Sequence, residues 1–133
     1  MNGRPERILV IDDEECIRFT FECFLSDAGY EVATACTYEE GMAEIEQKEF
    51  DLIFSDLILG GKTGLDLLHE VRLRAMSCPV VLITGDPTEG ISADALQKGA
   101  FDFIPKPVLQ DKLLQVTREA LSNNESGTEG TSL

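Results

Sequence analysis

Ile8-Leu9-Val10-Ile11-Asp12-Asp13 is a run of four apolar residues that stops on two acids, and the pattern repeats down the chain. Leu52-Ile53-Phe54 leads through Ser55 to Asp56, Val80-Val81-Leu82-Ile83 ends on Thr84, and Phe103-Ile104 runs through Pro105 to Lys106. Short, nearly continuous apolar runs of this kind suit strands covered on both faces, the habit of parallel sheets. In an open α/β sheet the carboxyl ends of parallel strands share one edge, where residues distant in sequence converge on a crevice. Three carboxylates, a hydroxyl and an ammonium are therefore expected in one place.

Segments of helical period separate these runs, which is the pattern of repeated βα units. Ile17, Phe21, Phe24, Leu25 and Ala28 form one apolar stripe, and Gly29 supplies a stop. Glu31 to Ala35 reads as a short second strand. Thr37 followed by Glu40 is a capping-box signal for the next helix, carried on by Ala43 and Ile45. The loop Gly60-Gly61-Lys62-Thr63-Gly64 reads as flexible, and Leu65, Leu68 and Val71 mark a third helix. After the loop Thr84 to Gly90, the residues Ile91, Ala95 and Leu96 suggest a weakly amphipathic fourth helix, expected to be the most mobile element. Phe101 to Ile104 is a fifth strand, and Leu113, Leu114, Thr117 and Leu121 form the face of a final helix. Residues 122–133 are polar and expected to be disordered. The organisation is thus one α/β domain over 1–121 and a polar tail or linker over 122–133.

The 133 residues suffice for one core without staples. With 25 Asp and Glu against 11 Lys and Arg, the net charge of -14 opposes nucleic-acid phosphates and anionic lipid alike. Direct nucleic-acid binding by this domain is not expected. No run approaches the roughly 18 apolar residues of a membrane span, and Met1 to Arg7 is polar with no signal-peptide core after it. A soluble cytoplasmic protein is the expectation. Cys16, Cys23, Cys36 and Cys78 lack the spacing of a zinc or redox site and are expected as reduced thiols, some buried. His69 lies between Leu68 and Glu70 at a solvated helix position.

Adjacent acids at one strand end and a third at another are what a hard divalent cation needs; Mg²⁺ takes one or two carboxylates plus phosphate oxygens. Without a cation the cluster would repel itself. For Asp12-Asp13 in isolation, N-capping of the following helix is an equal alternative. Asp56 faces the glycine-rich loop and is the best nucleophile candidate, since carboxylates form aspartyl phosphates. Lys106 would neutralise charge on the phosphoryl oxygens, and the Thr84 hydroxyl would donate to one of them.

With these residues in view, the chain resembles a response-regulator receiver domain of two-component signalling over residues 6 to 121. The resemblance is carried by Ile8-Leu9-Val10-Ile11-Asp12-Asp13-Glu14, Asp51-Leu52-Ile53-Phe54-Ser55-Asp56-Leu57, Val81-Leu82-Ile83-Thr84-Gly85, and Lys98-Gly99-Ala100-Phe101-Asp102-Phe103-Ile104-Pro105-Lys106-Pro107. It implies a doubly wound five-stranded parallel sheet in the order 2-1-3-4-5, with helices on both faces. It implies Asp56 as phosphoacceptor, with Mg²⁺, or Mn²⁺ in its place, held by Asp12, Asp13, Asp56 and the Ile58 backbone carbonyl. Thr84 and Lys106 then contact the phosphoryl group, Thr84 and Phe103 form the switch, and Lys106-Pro107 is a candidate cis peptide that would aim the Lys106 side chain into the pocket.

The implied function is a phosphorelay receiver. It takes a phosphoryl group from a histidine kinase or histidine phosphotransferase, without a turnover substrate of its own. Phosphorylation would draw Thr84 inward, turn Phe103 into the vacated space, and reshape a face made by the fourth helix, fifth strand and fifth helix, a surface for partners or a homodimer. Two departures from the family pattern stand out. Leu59-Gly60 replaces the common Met-Pro pair, which should loosen the loop, and an apolar Ile58 beside the path of the hydrolytic water is expected to slow self-dephosphorylation. A haloacid-dehalogenase-type phosphatase would want a second acid where Ile58 stands, and a flavodoxin-like binder would not place Asp12-Asp13-Glu14 in its phosphate loop. A receiver segment of a larger transcription activator or hybrid sensor kinase, and a docking module that is never phosphorylated, are the further alternatives.

Overall fold

The computed structural model describes residues 5–74, 76–85 and 96–129, with 123–129 as backbone. In chain order the elements are β1 (Arg7–Ile11), α1 (Glu15–Asp27), β2 (Glu31–Ala35), α2 (Tyr38–Gln47), β3 (Leu52–Asp56), β4 (Ile58–Leu59), β5 (Lys62–Thr63), α3 (Gly64–Leu73), β6 (Val80–Thr84), β7 (Asp102–Pro105) and α4 (Gln110–Glu129). The main sheet is parallel throughout, in the order β2-β1-β3-β6-β7. Setting aside the small β4-β5 hairpin, this is the expected 2-1-3-4-5.

Because successive side chains of a strand point to opposite faces, the central strands feed two cores. Leu9, Ile11, Ile53, Val80 and Leu82 face α2 and α3, where they meet Met42, Ile45, Leu67, Leu68 and Val71. Ile8, Val10, Leu52, Phe54, Val81 and Ile83 face α1 and α4, meeting Phe21, Leu25, Leu113, Val116 and Ala120. The Phe21 and Phe54 rings meet edge-on with centroids 5.0 Å apart, a geometry that adds about 0.5–1.5 kcal/mol to the burial itself. With both faces covered, β3 and β6 are buried along their whole length, as their nearly unbroken apolar sequences foretold.

Thr37 caps α2 as its sequence foretold, accepting the Glu40 N–H at 3.0 Å, but the Glu40 carboxylate takes the Cys36 N–H rather than that of Thr37. The stretch read as a flexible loop is instead ordered. Ile58 and Leu59 pair antiparallel with Thr63 and Lys62, and Gly60 takes the positive φ of 70° that a two-residue hairpin needs at its first central position. A second capping box, unremarked in the sequence, locks its far end: Thr63 accepts the Asp66 N–H at 3.1 Å, and Asp66 accepts the Thr63 N–H at 2.9 Å. Lys62 lies 5.2 Å from the Tyr38 ring centroid and ties the hairpin to α2. Thr63→Ala is expected to cost about 1 kcal/mol of folding stability, and Thr63→Ser to restore it. Urea denaturation midpoints check both; equal midpoints for wild type and Thr63→Ala would refute the cap's contribution.

β7 is shifted one residue from the predicted strand, because Pro105 pairs with Thr84 and the Lys106 N–H donates to the Thr84 carbonyl at 2.8 Å. The α4 backbone is helical to Glu129. Residues 130–133 lie outside the described residues, as do 86–95, which carry most of the predicted fourth helix and of the Thr84 to Gly90 loop. Among the described residues no helix is long and apolar enough to cross a membrane. All four cysteines are free; Cys78 is buried, which pushes its thiol up to about 12 and makes it inert. His69 is exposed on α3, as expected.

Candidate functional site

Strand register builds the site. Ile11 pairs with Ser55, so Asp12 emerges beside Asp56. Asp56 pairs with Ile83, which puts Thr84 one step further on, and Thr84 pairs with Pro105, which puts Lys106 one step further again. The predicted residues Asp12, Asp13, Asp56, Thr84 and Lys106 therefore converge at the carboxyl edge. A cavity of about 360 Å³ opens there, lined by Asp13, Asp56, Ile58, Thr84 and Lys106. Close backbone packing holds its floor: a Cβ at Gly64 would come within 2.8 Å of the Asp56 carbonyl oxygen and 2.7 Å of a Leu82 methyl. Only glycine fits there without displacing the end of β3.

Asp12 is fully buried, Asp56 is 8 % exposed, and Asp13 stands open to solvent. One Asp12 oxygen accepts the Glu14 N–H at 2.8 Å, and one Asp56 oxygen accepts the Ile58 N–H at 3.3 Å. Neither of the adjacent acids is the N-cap of α1, which is Glu14, and the Glu14 side chain makes no cap hydrogen bond. Burial pushes the Asp12 carboxyl up to about 6, against the help of the Glu14 N–H, and the neighbouring Asp56 charge adds to the rise. Asp56 is likewise raised, first by burial; the Ile58 N–H and Lys106 oppose the shift.

The Lys106 ammonium lies 3.4 Å from Asp12 Oδ2 and 3.6 Å from Asp56 Oδ2, and it hydrogen-bonds Glu14 Oε1. Burial works against its charge, but the Glu14 hydrogen bond and the surrounding carboxylates together hold its pKa above the ordinary value. Lys106-Pro107 is cis, as the resemblance implied. Glu14 is the site residue that sequence reading missed. Its signal is the third acid of Asp12-Asp13-Glu14.

The residues fit a divalent cation. Carboxylate oxygens of Asp12, Asp13 and Asp56 all lie within 4.8 Å of one another. Asp12 Oδ2 is buried without a hydrogen-bond partner, because Lys106 is close enough to pair with it by charge but is not aligned as a donor. The Gly64 N–H donates to the Leu57 carbonyl at 2.8 Å, which makes Ile58 and Thr63 a non-hydrogen-bonded pair and leaves the Ile58 carbonyl outside the hairpin ladder. A hard, all-oxygen donor set of this kind suits Mg²⁺. Ile58 itself is 65 % exposed at the rim. Phe103 lies away from the pocket, half-buried against the α2–α3 core.

Residues 8–118 match the model of the response regulator receiver domain. The chain is 42% identical over 107 residues to the alginate biosynthesis transcriptional regulatory protein AlgB of Pseudomonas aeruginosa, covering 80% of this chain and 24% of that protein. It is 37% identical over 116 residues to the nitrogen assimilation regulatory protein NtrX of Azorhizobium caulinodans, covering 86% and 26%. The chain thus spans about a quarter of the length of these curated relatives. Among solved structures, a CheY-like receiver domain protein from Methanospirillum hungatei superposes with a TM-score of 0.84 at 34% identity, covering 92% of this chain and 98% of that one. NtrX from Brucella abortus in complex with ADP superposes with a TM-score of 0.89 at 36% identity, covering 96% and 29%. Fold and sequence agree, and the chain belongs to the response regulator receiver domain family.

Proposed function

We propose that this domain is a phosphorelay receiver that accepts a phosphoryl group on Asp56 from a histidine kinase or histidine phosphotransferase. The observation that carries the reading is the Asp56 carboxylate at the floor of an open cavity, flanked by two further carboxylates and by the Lys106 ammonium. An Asp56 oxygen attacks phosphorus, the bond from phosphorus to the donor nitrogen breaks, and imidazole leaves. Asp12, Asp13, Asp56 and the Ile58 carbonyl would hold Mg²⁺, or Mn²⁺ in its place, which when bound neutralises charge on the phosphoryl oxygens. Lys106 pairs with a phosphoryl oxygen from the opposite side, and Thr84 donates its hydroxyl to another. The product is the domain's own acyl phosphate; no separate turnover substrate is assigned. Incubation with acetyl phosphate and Mg²⁺, followed by intact mass and oligomeric state, tests the reading. A gain of one phosphoryl group that chelation prevents is expected, and no gain would demote the domain to a docking module.

The added charge of about -1.5 to -2 biases a two-state equilibrium. Thr84 closes on the phosphate, Phe103 turns inward, and the face formed by β7, α4 and the helix predicted around Ile91 changes its fit to a partner or to a second copy. We place this exchange in the cytoplasm, with no membrane or nucleic acid contacted by the domain itself. The short coverage of the curated relatives, which are transcriptional regulators, favours a receiver segment of a longer regulator over a hybrid kinase. Ile58 supplies no hydrogen-bonding side chain at the cavity rim, so it leaves a hydrolytic water unoriented. Ile58→Asn is expected to shorten the phosphoryl lifetime several-fold, read by the decay of phosphorylated mass after donor removal; an unchanged or longer lifetime would refute that role.

A further inference from the structure

Glu14 holds the N-cap position of α1 with extended backbone (φ -92°, ψ 119°), yet its side chain does not cap the helix. It turns back across the site instead and accepts a hydrogen bond from Lys106, 92 positions away. Lys106 is therefore in hydrogen-bond contact with Glu14, while Asp56 Oδ2, at 3.6 Å, lies just beyond such contact. A phosphoryl group arriving on Asp56 needs the same ammonium, and it arrives as an anion.

We propose that Glu14 is a positioning residue that holds the Lys106 ammonium by a hydrogen bond and competes with the incoming phosphoryl group for it, thereby setting how fast Asp56 is phosphorylated. This role rests on the phosphoacceptor reading above. The Glu14 carboxylate is 52% exposed and the Lys106 side chain 17%, so the pair is screened on one side and the competition is modest. It acts as a brake. The two ends of the pair come from the β1–α1 turn and the end of β7, so any partner that seats on α1 and draws Glu14 away would release Lys106 to the phosphoryl group.

The test is a double-mutant cycle at saturating Mg²⁺, where a change in cation affinity does not enter. Glu14→Gln keeps the shape and an acceptor oxygen but removes the charge, so its phosphorylation rate with sub-saturating acetyl phosphate should rise about 2- to 5-fold. In a Lys106→Ala background the same substitution should change nothing. A rate in Glu14→Gln equal to or below wild type overturns the proposal, as does a gain that persists without Lys106, which would be plain charge repulsion. A second measurement needs no phosphorylation. Exchange of the Lys106 ammonium protons with water, followed by ¹⁵N NMR, should speed several-fold in Glu14→Gln, and equal exchange overturns the pairing itself. Failure of the phosphoacceptor reading looks different, for then the wild type takes no phosphoryl group whatever residue stands at position 14.

Discussion

Asp56→Ala is expected to abolish phosphorylation by acetyl phosphate, with no gain in mass over a time in which the wild type is fully converted. Three carboxylates share this edge, so the obvious objection is that a neighbour could take over. Geometry argues against that. Asp12 is fully buried with one oxygen committed to the Glu14 N–H, and Asp13 is exposed to bulk water. Asp56 alone combines partial access through the cavity with a neighbouring ammonium and the threonine of the adjacent strand. Removing a group that forms the covalent bond removes the reaction rather than slowing it. Slow modification of the Asp56→Ala protein at Asp12 or Asp13, located by peptide mass mapping, would show that the phosphoacceptor is not unique.

Asp12→Asn is expected to stabilise the cation-free protein at pH 7.5 by about 1–3 kcal/mol. Burial raises the folded-state pKa of Asp12 to about 6 from the ordinary 3.8. A carboxyl raised in this way favours the fold fully below about pH 4, and that contribution is lost as pH rises through about 6. At pH 7.5 the wild type carries the whole cost of a buried anion, and the amide does not. The advantage of the variant over wild type should therefore shrink as pH falls from 7.5 towards 4. Added Mg²⁺ should reverse the ranking, because a cation that binds only the folded state stabilises the wild type by mass action, whereas the variant has lost a ligand. Urea denaturation at two pH values, with and without Mg²⁺, reads all of this; a difference between variant and wild type that ignores both pH and Mg²⁺ would show that Asp12 bears no such strain.

Both predictions concern residues that could be named before any coordinates were known, and the reason lies in the local nature of their signals. Strand runs such as Val80 to Ile83 announce themselves by composition alone, because a strand covered on both faces must be apolar at every position. The Thr37–Glu40 cap is equally local. The hairpin at Ile58–Thr63 was harder to see, since a ladder of two residues per strand carries no periodicity and Gly60-Gly61 reads as flexibility until its φ is known.

Glu14 marks the boundary between the two kinds of knowledge. By itself the chain determined which chemical groups end the strands, and hence the βα alternation, the parallel sheet and the candidate set Asp12, Asp13, Asp56, Thr84 and Lys106, because those choices follow from hydrophobic pattern over a few residues. Only the tertiary structure decided how these groups are shared: that Asp12 Oδ2 is left without a donor, that the Ile58 carbonyl stands clear of its ladder, and that Lys106 hydrogen-bonds Glu14 while it lies 3.6 Å from Asp56. Those are contacts between groups as many as 92 positions apart. They depend on strand register and on side-chain packing to within a fraction of an ångström, which no local pattern of residues encodes.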